Sequence, residues 1–519
     1  MEKILNNRLI VLYLLPFCLG LLTVFSFQPF NLSLINFLLL PIFFSLIVYV
    51  RKKSKSVYRK KPYKKNLFLI GTSFGFGFYL SGISWISYSL TYEESFHFLI
   101  PFAILFIPLF LSLFTGLTIF IIGQFLNNNF SSILLFSGSI ALSDYLRGKI
   151  LSGFPWNVWG YSWSWFNEVI QILNLIGLFA FNLMSITLFT IPAFFFFNNK
   201  IRKKILLLIV TFTLIFLNYI YGSTSINKNK GLLNYLDRNN KNYIKIISPN
   251  FELKYYSSIN EIEEKLKKLI KYSDPEPEKE TIFIWPEGVF SGYSYDEIYR
   301  FKGLIKKHFT KNHLILFGIN TKNSDTENYF NSLVVVNSDF KIMHAYNKKK
   351  LVPFGEFLPF EKLLNKFGLK KITQGHGSFS SGKTQENIRI NGLNILPLIC
   401  YEIIFPELAQ KANIKTNLII NISEDGWFGD SIGPHQHFAK AIYRAIENNS
   451  FLIRSANQGI SAIINNKGEV LKQLKVNETG NIEIDIPLLS HDNKNKNDLI
   501  FFILLITYLT VFLIFKNKN

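Results

Sequence analysis

Three short segments each end an apolar run on a residue that can do chemistry: Glu287 in IFIWPEG, Lys348 in YNKKKLVPFGE and Cys400 in LPLICYE. A carboxylate, an ammonium and a thiol together supply what acyl transfer through a thioester needs, namely a proton acceptor, a fixed positive charge and a nucleophile. A free thiol, with a pKa of about 8.5, is only a few per cent thiolate at neutral pH. Glu287 would take that proton, return it to the leaving group and then deprotonate an incoming amine. Lys348 would hold positive charge beside the thiolate and the tetrahedral oxyanion. Taken singly, each residue also reads as ordinary structure: a helix N-terminal carboxylate, one lysine of a surface run, a small buried hydrophobe. Their common place at strand ends is what sets them apart, because α/β sheets put their sites there.

The elements that must position them lie in the stretch 222–498, where charges are scattered as in an ordinary soluble domain. Short apolar runs at 242–247, 282–285, 314–319, 332–337, 395–400, 418–422, 451–456 and 461–466 predict strands. Helical patterns near 259–273, 294–309, 404–412 and 434–449 alternate with them, which indicates a layered α/β domain. Gly468 in NNKGEV marks a hairpin turn between strands near 461 and 470. The interval 349–394, with PFGEFLPF, LLNKFGLKK and GHGSFSSGK, has no clear element. Loops of that length are more often lids than connectors. Leu363, Leu364, Phe367 and Leu369 could carry part of it to a membrane surface.

The rest of the chain belongs to a different solvent. Residues 1–221 and 499–515 are long blocks of Phe, Leu and Ile, and about 17–25 such residues cross a hydrocarbon core. Eight spans are expected near 9–27, 32–50, 67–88, 98–123, 130–146, 169–196, 204–221 and 499–515, the fifth being weakest for its shortness and its Ser137, Ser139 and Ser143. The basic loop RKKSKSVYRKKPYKKN at 51–66 fixes the orientation, since such loops stay in the cytoplasm. With eight spans, 222–498 then lies outside the cytoplasm, and the domains are 1–221 in the membrane, 222–498 catalytic, and 499–519 a final helix with a short cytoplasmic tail. The net charge of +21 is explained largely by the cytoplasmic loops and a general Lys/Asn/Ile bias, which sets aside nucleic-acid binding. The two cysteines, Cys18 in the first span and Cys400, are expected to be free.

The segments WPEG, YNKKKLVPFGEFLP, CYEIIFPE and WFGDSIGPHQH, together with FSFQPF at 25–30 and GFPWNVWGYS at 153–162, resemble the apolipoprotein N-acyltransferase family. That resemblance implies a polytopic α-helical membrane bundle plus an extracytoplasmic, nitrilase-like αββα sandwich, in the inner membrane of a bacterium. It implies a Glu287, Lys348 and Cys400 triad, with Glu356, Tyr401 and Glu402 in support, and no cofactor or metal. Lys349 and Lys350 adjoin Lys348, but the order Tyr-Asn-Lys and the distance to PFGE favour Lys348. The implied reaction is ping-pong, from a phospholipid acyl donor through a Cys400 thioester to the amine of a diacylglyceryl lipoprotein.

Departures from the family pattern fall at SPNFELKYYSS, where Tyr255 or Tyr256 stands in place of a tryptophan, and at SEDGWFGD. His435 and His437 in HQH point apart on a helix, which argues against a metal pair. The loop 151–166, with four tryptophans, reads as an interfacial belt or as a wall shaping lipid access. Rival readings are a membrane-tethered amidase, an inactive lipoprotein-binding scaffold, and a transporter, which would need paired charges within the spans; Asp144 and Arg147 are the nearest candidates.

Overall fold

The computed structural model describes residues 7–57, 62–197, 201–235, 242–254, 257–322, 328–359, 361, 378–384, 386–410, 416–487 and 497–516. Tyr255, Tyr256, the four apolar residues Leu363, Leu364, Phe367 and Leu369, and most of the candidate lid lie outside the described residues. The chain divides into two compact units, one of Met1–Ser87, His97–Ser225 and Asn495–Asn519, the other of Tyr88–Phe96 and Ile226–Lys494.

Six helical stretches among the described residues, lying wholly or mostly in the first unit, are long and apolar enough to cross a membrane: Ser33–Lys53, Lys64–Leu90, Glu94–Phe125, Leu173–Phe196, Ile201–Leu233 and Asp498–Phe515. The expected first and fifth spans differ. Ile10–Ser26 is a shorter apolar run, and Phe130–Lys149 is helical but carries Asp144, Arg147 and Lys149 in its last turns. Helices here approach closely through small residues, as they do where lipid offers no competing hydrophobic drive. A Cβ on Gly20 would sit 2.1 Å from the Phe74 carbonyl oxygen, and one on Gly77 would sit 2.2 Å from that of Phe17.

Asp144 and Arg147 do form a buried ion pair, at 3.0 Å. Asn182 Nδ2 donates to Asp144 at 3.0 Å, its Oδ1 accepts from the Gly160 amide at 3.1 Å, and Arg147 donates to the Phe154 carbonyl. The cluster therefore ties the GFPWNVWGYS loop to two helices. Trp156, Trp159 and Trp163 of the loop 151–166 are buried packing residues, and of its four tryptophans only Trp165 is exposed.

The second unit holds two six-stranded sheets. The first runs β12 (Gly480–Ile486), β1 (Asn242–Ser248), β2 (Thr281–Ile284), β3 (His313–Lys322), β4 (Tyr329–Val336), β5 (Ile342–Asn347). The second runs β11 (Val470–Leu474), β10 (Ser461–Ile464), β9 (Phe451–Asn457), β8 (Leu418–Glu424), β7 (Leu393–Ile399), β6 (Ile388–Ile390). Each has a parallel centre, β1-β2-β3 or β7-β8-β9, flanked by antiparallel strands. The central strands are buried on both faces, which is why they read as unbroken apolar runs. Period-2 alternation sorts their side chains: Ile282 and Ile284 join Ile395, Ile420 and Ile453 in one core between the sheets. Phe283 and Trp285 join Ile262, Leu266 and Leu269 of α1 (Ile259–Ser273) in a second core outside the first sheet.

Helix α1 starts with a capping box, Ser258 with Glu261, and ends at Asp274 in the left-handed region with φ 42°. Helix α2 (Gly433–Asn448) packs on the second sheet and ends likewise at Asn449, φ 47°. The expected helix over 294–309 is broken into Tyr295–Ile298, a tight turn at Tyr299–Phe301 and Lys302–His308. Strands β5, β6 and β12 were not expected, whereas the Gly468 hairpin between β10 and β11 is present.

Candidate active site

Glu287, Lys348 and Cys400 each follow the last residue of a strand by one to three positions, after β2, β5 and β7. Two of those strands lie in the first sheet and one in the second, so the site is assembled where the sheets face each other. Glu287 Oε1 accepts from Lys348 Nζ at 3.3 Å and from Asn331 Nδ2 at 2.7 Å. Its Oε2 accepts from the Glu424 amide at 3.1 Å. Glu356 Oε1 accepts from Lys348 Nζ at 2.9 Å and from Asn331 Nδ2 at 2.7 Å. One ammonium and one carboxamide thus bridge two carboxylates. The second oxygen of Glu356 accepts from the Val352 amide at 2.8 Å, which fixes the PFGE turn around it.

Of the three adjoining lysines, Lys348 is the one brought to Glu287. It is 1% exposed, while Lys350 pairs with Glu407 at 3.8 Å and lies over the Phe405 ring. Burial alone would lower the Lys348 pKa, but the charges of Glu287, Glu356 and Cys400 raise it above the ordinary lysine value. It is therefore a permanent cation.

Cys400 begins a 3-10 turn, Cys400–Ile404, with its own backbone at φ 47°. A left-handed non-glycine residue costs about 1–2 kcal/mol, so the turn is held by its surroundings. Burial pushes the thiol pKa up, the Glu287 charge adds to that, and the Lys348 charge and the Ser423 side chain oppose it. The resting sulphur is a thiol, and its proton must leave as the sulphur reacts.

Glu402 has no exposure and joins two strand ends. Its Oε1 accepts from Tyr346 Oη at 2.9 Å and from the Lys349 and Lys350 amides at 2.7 and 3.1 Å. Its Oε2 accepts from the Ile399 amide at 2.8 Å. It locks the chain just after Lys348 to the residue just before Cys400. Burial raises the Glu402 pKa against the pull of those amides. Tyr401 is buried and packs edge-on against Phe405, ring centroids 5.0 Å apart.

Sequence reasoning missed Asn331, which carries no local signal beyond its place in a strand. It also missed the role of Tyr92, in the segment Tyr88–Phe96 that folds with this unit. The Tyr92 hydroxyl donates to the Gly426 carbonyl, and its ring meets Trp427 edge-on at 5.7 Å. Glu424 of the SEDGWFGD segment is a buried carboxyl held by the Gly426 amide at 2.9 Å and Asn457 Nδ2 at 2.8 Å. Burial raises its pKa well above the carboxylate range. His437, set aside as one half of HQH, lies in a buried cluster with Asp425 and Arg454.

Residues 19–191 match the apolipoprotein N-acyltransferase N-terminal domain, and residues 256–491 match the carbon-nitrogen hydrolase family. An apolipoprotein N-acyltransferase from Rhizobium leguminosarum bv. trifolii is 30% identical over 81% of this chain and 80% of its own. The chain belongs to the apolipoprotein N-acyltransferase family. A member from Rickettsia typhi is 31% identical over 91% of both chains. Among solved structures, XC1258 from Xanthomonas campestris, a CN-hydrolase superfamily protein, matches 47% of this chain and 90% of its own at 15% identity and a TM-score of 0.35.

Proposed function

We propose that this enzyme moves a fatty acyl chain from a phospholipid to the N-terminal amine of a diacylglyceryl-cysteine lipoprotein, through a thioester on Cys400. The observation that carries the reading is the buried Lys348 ammonium clamped between Glu287 and Glu356 and acting on the Cys400 thiol.

In the first half-reaction the Cys400 proton passes to Glu287 as the sulphur attacks the ester carbonyl carbon. Lys348 faces the oxyanion; it cannot serve as the base, because its surroundings keep it protonated. Collapse of the tetrahedral intermediate breaks the ester C–O bond, and Glu287 returns the proton to the departing lysophospholipid. In the second half-reaction the lipoprotein amine attacks the thioester carbonyl, Glu287 takes a proton from the nitrogen, and the sulphur leaves to be reprotonated as a thiol. Glu356 and Asn331 hold Lys348 and Glu287 in register, and Glu402 with Tyr401 supports the turn on which Cys400 sits.

In this reading residues 1–221 and 499–519 anchor the enzyme in a bacterial inner membrane, and 222–498 faces the periplasm. Both substrates are lipids, so an anchored site meets them at high local concentration. The test is mass spectrometry of a diacylated lipopeptide incubated with phospholipid and purified protein in detergent, beside Cys400→Ala. One acyl chain gained on the peptide amine, absent with the variant, supports the reading. Release of free fatty acid or ammonia without transfer would make the enzyme a hydrolase instead.

A further inference from the structure

The strained turn at Cys400 is gripped by groups that the reaction above does not use. His437 Nε2 lies 3.3 Å from the Cys400 carbonyl oxygen. Its Nδ1 lies 3.0 Å from Asp425 Oδ1 and 3.0 Å from Arg454 Nη2. Arg454 Nη2 also donates to both oxygens of Asp425, at 2.9 and 2.7 Å. Its other terminal nitrogen donates to Asn421, whose Nδ2 donates to the Leu398 carbonyl at 3.0 Å. Ser423 Oγ donates to Asp425 Oδ1 at 2.7 Å, and its side chain acts on the Cys400 thiol to lower its pKa. These side chains come from β8, the turn after it, α2 and β9. Each of Asn421, Ser423, Asp425, His437 and Arg454 is at most 1% exposed.

We propose that Asp425, His437, Arg454 and Ser423 form a positioning network that holds the Cys400 turn in its left-handed conformation and aims the thiol, separately from Glu287 and Lys348. The inference rests on the reading of Cys400 as the nucleophile. A carbonyl oxygen only accepts, so a hydrogen on Nε2 serves Cys400, while Nδ1 faces both the Asp425 carboxylate, which only accepts, and the Arg454 guanidinium, which only donates. Burial and the Arg454 charge, against Asp425, bring the His437 pKa down to about 4, which keeps the ring neutral at physiological pH. Ser423 has one hydroxyl hydrogen. With the thiol protonated it serves Asp425, and its oxygen can accept from S–H; when the sulphur gains charge, the same hydrogen can turn to it. The network therefore touches the end of β7 at the Leu398 carbonyl and the turn at the Cys400 carbonyl, and it acts on the thiol through Ser423.

The experiment reads Cys400 without any lipid substrate. In full-length protein carrying Cys18→Ala, the rate of alkylation by iodoacetamide is followed across neutral pH by intact mass, beside acyl transfer to a lipopeptide. Ser423→Ala should slow alkylation about tenfold, the equivalent of one unit of thiol pKa. His437→Ala should lower alkylation and kcat on the order of 10- to 100-fold through misplacement of the sulphur, with KM for the lipopeptide within about twofold. His437→Gln, which restores an N–H donor, should recover a large part of both. Variants that keep the parent unfolding midpoint yet alkylate at the parent rate would overturn the proposal. Should His437→Ala not fold, Ser423→Ala and His437→Gln decide it on the same readouts. If no protein transfers acyl chains but alkylation still responds as expected, the acyltransferase reading falls and the positioning network stands.

Discussion

Two polar clusters meet at Cys400, and they are built to different ends. Glu287, Lys348 and Glu356 come from turns after β2 and β5 of the first sheet and leave the carboxylates 7–8% exposed. Two carboxylates share one cation there, and Glu287 is the one that the proposed reaction uses as proton acceptor. Asp425, His437 and Arg454 come from the second sheet and its helix, are sealed from solvent, and form a charge-balanced pair with a neutral imidazole. On the proposed reading this is a division of labour: the first sheet supplies Glu287, whose charge would change during the reaction beside a fixed Lys348 cation, and the second supplies a charge-balanced cluster that would hold the Cys400 turn in its left-handed conformation.

The comparison can be broken most sharply at Lys348. Lys348→Met should reduce acyl transfer by at least about 1,000-fold, in line with loss of an oxyanion-stabilising group. It should also cost about 3–5 kcal/mol by leaving Glu287 and Glu356 facing one another without a cation; rate and urea unfolding measured on the same sample check both. Asn331→Leu comes next. It removes both carboxamide bridges, and we expect a loss of about 1–3 kcal/mol with a smaller fall in kcat than for Lys348→Met.

The fixed cluster is tested by acid. The His437 pKa is about 4 in the fold against 6.5 when unfolded, so the unfolded chain binds the extra proton first as pH falls. Stability should therefore drop by roughly 3 kcal/mol between about pH 6.5 and about pH 4, then level with respect to this group. Asp425, Arg454 and Lys440 are the charged groups around the ring. His437→Gln should flatten that limb in a series of unfolding curves; an unchanged limb would remove His437 as its source. The smallest effect belongs to Tyr346→Phe, which deletes one of four donors to Glu402 and should cost about 1 kcal/mol by thermal unfolding.

How much of this was legible in the sequence follows the same divide. Two of the three candidate catalytic positions, Glu287 and Cys400, are legible because β2 and β7 are buried on both faces and announce themselves as apolar runs that stop at a reactive residue. Strand β5 is hidden, since four of its six residues are exposed at a sheet edge and IMHAYN has no apolar period. Strand β12 pairs with β1 across the whole domain, and nothing local fixes that partner. The fixed cluster is illegible for a topological reason. Asp425, His437 and Arg454 stand 12 and 17 residues apart in sequence and meet only because β8 and β9 run parallel with α2 between them. In the membrane unit, composition finds the long spans but reads the loop tryptophans as interfacial, when three of the four are packed into that unit's own interior.

The central claim is that Cys400 carries the acyl chain. Purified protein should be incubated with phospholipid in the absence of any acceptor, and its intact mass and peptide map recorded before and after a diacylated lipopeptide is added. The account predicts a single acyl adduct on Cys400 that disappears as the lipopeptide gains the same mass. Transfer to the lipopeptide by a Cys400→Ala protein, or by wild-type protein whose Cys400 never carries an adduct under conditions that trap thioesters, would contradict it.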